Sequence, residues 1–237
     1  MRSLLVFILL IAAASPASAQ LVAPLTTPDG RIACTQGITG AGHVTHWEAV
    51  PDPQALDHWA LAETGHDETD LHFPICISEQ TVVFNADVTL RFKIVGGTHA
   101  RSAGLVLRAQ TANDYYVVRA DALDGSVRFY RMIGGRRAEL KGTKVMVASD
   151  VQHALRVVAK RDQFEVFLDN KSLFKLTDTS LMQPGPVGVW SQADSVTHFQ
   201  SLLVANPPDP SEDSERHQTK GDLDGDDQAV HGDARQH

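Results

Sequence analysis

Basic residues, cysteines and aromatic rings are all scarce in this chain. Lysine and arginine number 21 against 29 aspartates and glutamates, a formal net charge of −8. Nucleic-acid binding needs a concentrated basic face that displaces phosphate counterions, and this balance argues against it. It equally disfavours simple adsorption on anionic lipid. The two cysteines, Cys34 and Cys76, lie neither in a Cys-x-x-Cys nor beside a histidine, so neither reads as a catalytic thiol. An even count in an exported chain reads as one disulfide, Cys34 to Cys76; two reduced, buried thiols are the alternative.

Long apolar runs are also missing, with one exception. Leu4 to Ala14 is almost continuously apolar, but about eleven residues fall short of the roughly twenty that cross a bilayer. Arg2 precedes the run and Ala17-Ser18-Ala19 follows it, the three parts of a secretory signal peptide over residues 1–19 with cleavage before Gln20. A retained N-terminal anchor is the alternative. The expected product is exported, periplasmic or extracellular, with no stable membrane insertion. Losing Arg2 takes its net charge from −8 to near −9.

No segment of ten or more residues combines 3.6-residue periodicity with helix caps. Period-two alternation is what the chain offers instead. Val88, Leu90, Phe92 and Ile94 alternate with Thr89, Arg91 and Lys93. Further short strands are predicted at 103–110, 115–121, 126–132, 153–160, 163–169, 172–176, 186–191 and 197–204. Asp124-Gly125, Gly134-Gly135 and Asp169-Asn170-Lys171 supply hairpin turn chemistry between them. Many short strands at regular spacing predict an all-β sandwich or barrel. Residues 20–80 are irregular, with strand-like pieces at 43–50 and 58–61, and are expected to pack as an N-terminal segment on a sandwich core of residues 81–206. The tail, 207–237, holds almost no bulky apolar residue and is expected to be disordered and acidic.

The stretch from Asp87 to Val204, about half of the chain, carries a recurring set of motifs. They are Ala103-Gly104-Leu105-Val106-Leu107-Arg108, Asn113-Asp114-Tyr115-Tyr116, Phe167-Leu168-Asp169-Asn170, Gly185-Pro186-Val187-Gly188-Val189-Trp190 and Ala193-Asp194-Ser195. In this order they resemble the concanavalin A-like lectin/glucanase superfamily. Bacterial 3-keto-disaccharide hydrolase domains and laminin G-like modules are the branches most similar. The resemblance implies a jelly-roll β-sandwich of two antiparallel sheets and a saccharide or glycoconjugate as ligand. It departs from the usual pattern where Gln200-Ser201 follow Phe199 in place of two aspartates, and where Gln192 replaces a lysine.

Turn positions predict which side chains share a face. A turn near Asn113-Asp114 sets Arg108 opposite Val117, and a two-residue turn at Asp124-Gly125 sets Arg119 opposite Tyr130. Alternation then gathers Arg108, Tyr115, Arg119, Asp121 and Tyr130 on one face, with Leu105, Leu107, Tyr116, Val118 and Phe129 on the other. The first face is too polar for a core and unusually aromatic for a solvated one. Rings stack on sugar faces while arginine and aspartate bond hydroxyls, so it is the candidate saccharide site. A plain solvated face with cross-strand ion pairs is the competing reading. Trp190 and Asp194 form a second candidate, although Trp190 reads more readily as a core plug than as a sugar platform.

Conventional glycosidase chemistry needs two carboxylates at a set distance. The Glu-x-Asp-x-x-Glu strand of the superfamily's retaining glucanases is missing, and Glu139 and Glu165 stand alone. A hydrolase, whether for a glycoside or a keto-glycoside, would then call for a metal-activated water. No cofactor is required by the sequence. A divalent metal could be held by His66, Glu68, Asp70 and His72, which share one side of an extended chain. The acidic run 222–227 only mimics a calcium loop, since Asp227 stands where the turn wants glycine. Carbohydrate recognition is the leading expectation, an enzyme the second, and docking on an envelope protein partner the third.

Overall fold

The computed structural model describes residues 20–207. The expected signal peptide, the calcium-like run and, apart from Pro207, the expected disordered tail lie outside the described residues.

Fifteen strands follow one another in the described chain: β1 (Leu21–Ala23), β2 (Thr35–Gly40), β3 (Trp47–Pro51), β4 (Trp59–Glu63), β5 (His72–Val83), β6 (Ala86–Gly96), β7 (Ser102–Thr111), β8 (Asp114–Asp121), β9 (Ser126–Ile133), β10 (Arg136–Lys144), β11 (Gln152–Lys160), β12 (Gln163–Leu168), β13 (Lys171–Thr177), β14 (Gly185–Trp190) and β15 (Val196–Ala205). They form two antiparallel sheets. One has eight strands in the order β13-β12-β11-β6-β15-β4-β3, with β1 also paired to β15, and the other has seven, β10-β9-β8-β7-β14-β5-β2. The alternation of β6 does what period two requires: Val88, Leu90, Phe92 and Ile94 are fully buried. They meet Leu105, Leu107, Tyr116, Val118, Val127 and Phe129 of the other sheet in the main core. Tyr116, Phe129 and Phe164 pack at centroid distances of 5.0–5.5 Å.

Residues 20–80 are less irregular than they read. Their strands enter both sheets, and the boundary at 80 falls inside the twelve-residue β5. Such strands lack strict alternation because tertiary pairing, not local pattern, recruits them. Cys34 and Cys76 form the disulfide, with a Cα–Cα distance of 5.5 Å, tying the start of edge strand β2 to its neighbour β5. Closing a loop of that size contributes about 2–4 kcal/mol by restricting the unfolded chain.

The hairpins at Gly134-Gly135 and Asp169-Asn170 are two-residue turns with positive φ at both positions. The turn at Asp124-Gly125 differs from its sequence reading. Asp121 pairs with Ser126, so four residues, 122–125, make the connection. The carboxylate of Asp121 accepts the amides of Leu123 and Asp124 at 2.8 and 2.9 Å and stabilises this longer loop. The register moves by two residues, and Arg119 lies opposite Arg128 while Tyr130 lies opposite Val117. A shift of two preserves the face of every side chain.

The bend before Asn113 has a larger consequence. Between the pairs Leu107–Tyr116 and Thr111–Asp114, residues 108–110 of β7 oppose Tyr115 alone. This bulge puts Arg108 at φ 50° and turns its side chain between the sheets. Arg108 is therefore not on the face with Tyr115, as alternation had placed it. It is buried, stacked over the Phe84 and Phe164 rings at 4.3 and 5.0 Å. Its guanidinium donates to the carbonyls of Phe84, Leu181 and Arg161. Burial lowers its pKa, and those acceptors meet the donors of a cation that is out of water.

Candidate functional site

The seven-stranded sheet turns a second, smaller apolar cluster away from the main core. Phe73, Ile75, Val106, Tyr115, Val117, Tyr130, Met132 and Trp190 compose it. Trp190 stacks on Phe73 with centroids 5.2 Å apart. It can lie flat across β7 because residue 104 is glycine: a Cβ there would stand 2.8 Å from two Trp190 carbons. Tyr115 and Trp190 have no exposed surface, so both form the floor of the face and neither is an open stacking platform. Thr39 of β2 gives its hydroxyl hydrogen to the Ala112 carbonyl and accepts that of Tyr115 at 2.8 Å. Burial pushes the Tyr115 hydroxyl up to about 12 despite that partner.

Polar side chains cover this floor. Arg119 reaches from β8 over the Tyr130 ring at 5.8 Å. Arg137 reaches from edge strand β10 and lies over Phe73 and Tyr130 at 4.7 and 5.0 Å. Both guanidiniums donate to a single neutral oxygen, the side-chain Oε1 of Gln192, at 2.9 and 3.4 Å. Gln192 follows β14, and its own amide nitrogen donates to the Asp70 carbonyl at 3.4 Å.

Three carboxylates border the arginines. Asp124 pairs with Arg119 at 3.0 Å and with Arg128 at 3.2 Å, and Glu139 pairs with Arg128 at 2.9 Å. Asp121 is 3.6 Å from Arg119 but is committed to the Ser102 hydroxyl and two backbone amides. Arg137 makes no ion pair among the described residues, and burial lowers its pKa, with Tyr130 opposing and Arg119 reinforcing that fall. Among the described residues the Nε of Arg119 is buried without a hydrogen-bond partner.

Of the residues singled out in the sequence, the structure brings Tyr115, Arg119, Asp121, Tyr130 and Trp190 to one face and removes Arg108 from it. Asp194 stands apart. Its carboxylate accepts the amides of Thr98, His99 and Ala100 at 2.6–3.0 Å and holds the loop between β6 and β7. Burial raises its pKa, but those amides outweigh it and the net shift is downward. Arg137, Phe73 and Thr39 were not anticipated. The alternation of Arg137 and Glu139 was the available signal for Arg137, because it marks a strand with one face on a site.

The four metal candidates do not converge. His66 and Asp70 are exposed, Glu68 turns to His99 at 3.3 Å, and His72 is buried beside Asp67 at 3.4 Å. Residues 64–69 form an irregular loop, so the extended geometry that would align them is missing. Among the described residues no three His, Cys, Asp or Glu side chains are placed to hold a metal ion. Asp67 instead ties this loop together, accepting the amides of His43 and Thr69. The hydroxyl and amide of Thr69 and the amide of His43 hold its pKa well below the usual carboxylate range against its burial.

A second polar cluster lies on the other sheet. Asp52 is buried and meets the His198 Nδ1 at 2.8 Å, the Gln200 amide at 3.1 Å and Lys93 at 3.5 Å. Burial pushes its pKa up, but hydrogen bonds from His198, the Gln54 amide and Gln200, with the charge of Lys93, bring it down to about 2. Every partner is internal, and the unit fastens the 52–58 turn to β6 and β15.

No family model and no curated protein sequence matches the chain. Solved structures do. The carbohydrate-binding module CBM66 from Bacillus subtilis superposes with a TM-score of 0.59, at 16% identity, over 72% of this chain and 98% of its own. A structure described as a native glycosidic hydrolase gives 0.51 at 11% identity, over 83% and 100%. The exoplasmic/lumenal domain of VIP36, in a Ca2+/Man-bound form, gives 0.51 at 13%, over 79% and 89%. Likeness at such identities speaks for architecture alone, and what it establishes is an all-β, concanavalin A-like sandwich of two antiparallel sheets.

Proposed function

We propose that this protein recognises saccharides through the outward face of the seven-stranded sheet. The observation that carries the reading is the pair of guanidiniums, Arg119 and Arg137, laid over a buried aromatic floor and converging on Gln192. A half-buried polar cluster over rings suits a sugar, whose hydroxyls need donors and whose ring needs an apolar shelf. Tyr130, at 6% exposure, is the ring with an edge on the surface; Tyr115, Phe73 and Trp190 keep the shelf rigid. The architecture is shared with a carbohydrate-binding module, which supports the same ligand class.

Binding is favoured over turnover by the carboxylates. Asp121, Asp124 and Glu139 are each within ion-pair distance of an arginine, the arrangement of a platform rather than of an acid/base pair. Each carboxylate of this face is engaged by an arginine, which favours binding over hydrolysis of a glycoside or keto-glycoside. Export to the periplasm or exterior would supply the oxidising setting in which the Cys34–Cys76 disulfide persists.

A glycan array with the purified protein tests the reading. The expected result is saccharide binding that Arg119→Ala and Tyr130→Ala abolish while the far-ultraviolet circular dichroism stays that of the parent. Retention of a glycan by both variants would remove the face from the function. Capture of an envelope protein with no glycan bound would replace saccharide recognition by protein docking.

A further inference from the structure

Resting on that reading, we infer that the saccharide is acidic, and that its carboxylate is taken between Arg137 and Arg119 in place of the Gln192 amide oxygen. The charges on the face lead there. Arg128 shares Asp124 and Glu139, and Arg119 has Asp124 on Nη2 and, at 3.6 Å from Nη1, Asp121, whose oxygens are already taken by the Ser102 hydroxyl and two backbone amides. Arg137 has rings and one long bond to a neutral amide, and no carboxylate within ion-pair distance among the described residues; Glu139 acts on it only from farther away. A partly buried guanidinium without a directly paired counter-charge is costly to hold, and a ligand that brings the charge into contact recovers part of that cost on binding.

The donors are arranged for a planar anion. Two guanidiniums already point Nη1 atoms at one oxygen, and the Nε of Arg119, itself buried, is still unpartnered. A hydroxyl offers one acceptor oxygen, whereas a carboxylate offers two in a plane, the shape a guanidinium fork matches. Gln192 is placed to give way. It is only part-buried, and two of its three contacts are 3.4 Å long. Arg137 is also part-exposed on an edge strand, so the anion can reach it without opening the sandwich. The chain's net charge of −8 weakens long-range attraction of such a ligand, so charge selectivity must come from local contacts with the guanidinium pair.

The experiment compares uronate oligosaccharides with their methyl esters, which keep the sugar and remove the charge. Isothermal titration should show the acid bound about 10- to 100-fold more tightly than the ester, the size of effect expected of a charge-assisted hydrogen bond. Arg137→Gln should erase that preference by weakening the acid far more than the ester, with the melting temperature near the parent's. Arg137→Lys, which keeps a point charge without the fork, should fall between. Raised salt should weaken the acid more than the ester. Equal affinity for acid and ester, or an acid preference untouched by Arg137→Gln, would overturn the inference while leaving saccharide recognition standing. Failure of every glycan, charged or neutral, would overturn both.

Discussion

The two sides of the seven-stranded sheet each carry a guanidinium stacked on aromatic rings, and they use it in opposite ways. On the core side, Arg108 is sealed between Phe84 and Phe164 with carbonyls on its nitrogens. On the outward side, Arg137 rests on Phe73 and Tyr130 with one distant amide oxygen. Residue type and ring stacking are alike, so neither separates a structural arginine from a binding one. The acceptors do. A complete internal set means the side chain works for the fold, and an incomplete one leaves capacity for a ligand.

The largest effect should come from the sealed side. Arg108→Ala orphans three carbonyl groups and leaves a cavity between the sheets, an expected loss of about 3–5 kcal/mol in urea unfolding. A loss below about 1 kcal/mol would erase the distinction between the two sides. Asp52, another group with a complete internal set, should give an intermediate effect through pH. Its folded pKa of about 2 lies below its ordinary 3.8, so its stabilisation is full above about pH 4 and disappears as pH falls towards 2. That amounts to about 2 kcal/mol, read as the shrinking gap between the parent and Asp52→Asn across the window. The smallest effect belongs to the outward side: Arg137→Ala should change unfolding stability by less than about 1 kcal/mol. A larger drop would mean that Arg137, like Arg108, serves the fold.

Strand parity was readable in the sequence wherever alternation was unbroken. β6 and β8 showed their buried sides plainly, and that put Tyr115, Arg119, Asp121 and Tyr130 together correctly. Register was not readable. The Asx-type loop at Asp121 adds two residues to a turn that Asp124-Gly125 seemed to define alone, and the three-residue bulge at 108–110 reverses one side chain. The bulge depends on pairing that only the assembled sheet selects, and the loop on two local bonds to the Asp121 carboxylate that turn-residue preferences do not reveal. β10 escaped for another reason: on an edge, with little of it buried, Arg136 to Lys144 carries charges where an inner strand carries apolar residues. The resemblance to concanavalin A-like proteins supplied the architecture, while the polar layer over Trp190 arises from packing between strands distant in sequence.

Where the layers of this face sit in the fold also shapes how it can change. The aromatic shelf belongs to inner strands and depends on glycine at position 104 to let Trp190 lie down. The polar layer above it includes Arg137 and Glu139 of edge strand β10 and the neutral Gln192 just past the end of β14, besides Arg119 and Arg128 of inner strands. Sequence drift can therefore exchange Arg137 or Gln192 and redirect the site to neutral or cationic ligands with the sandwich untouched. A side chain at 104 has no such freedom, so diversification of this surface would proceed from its rim inward.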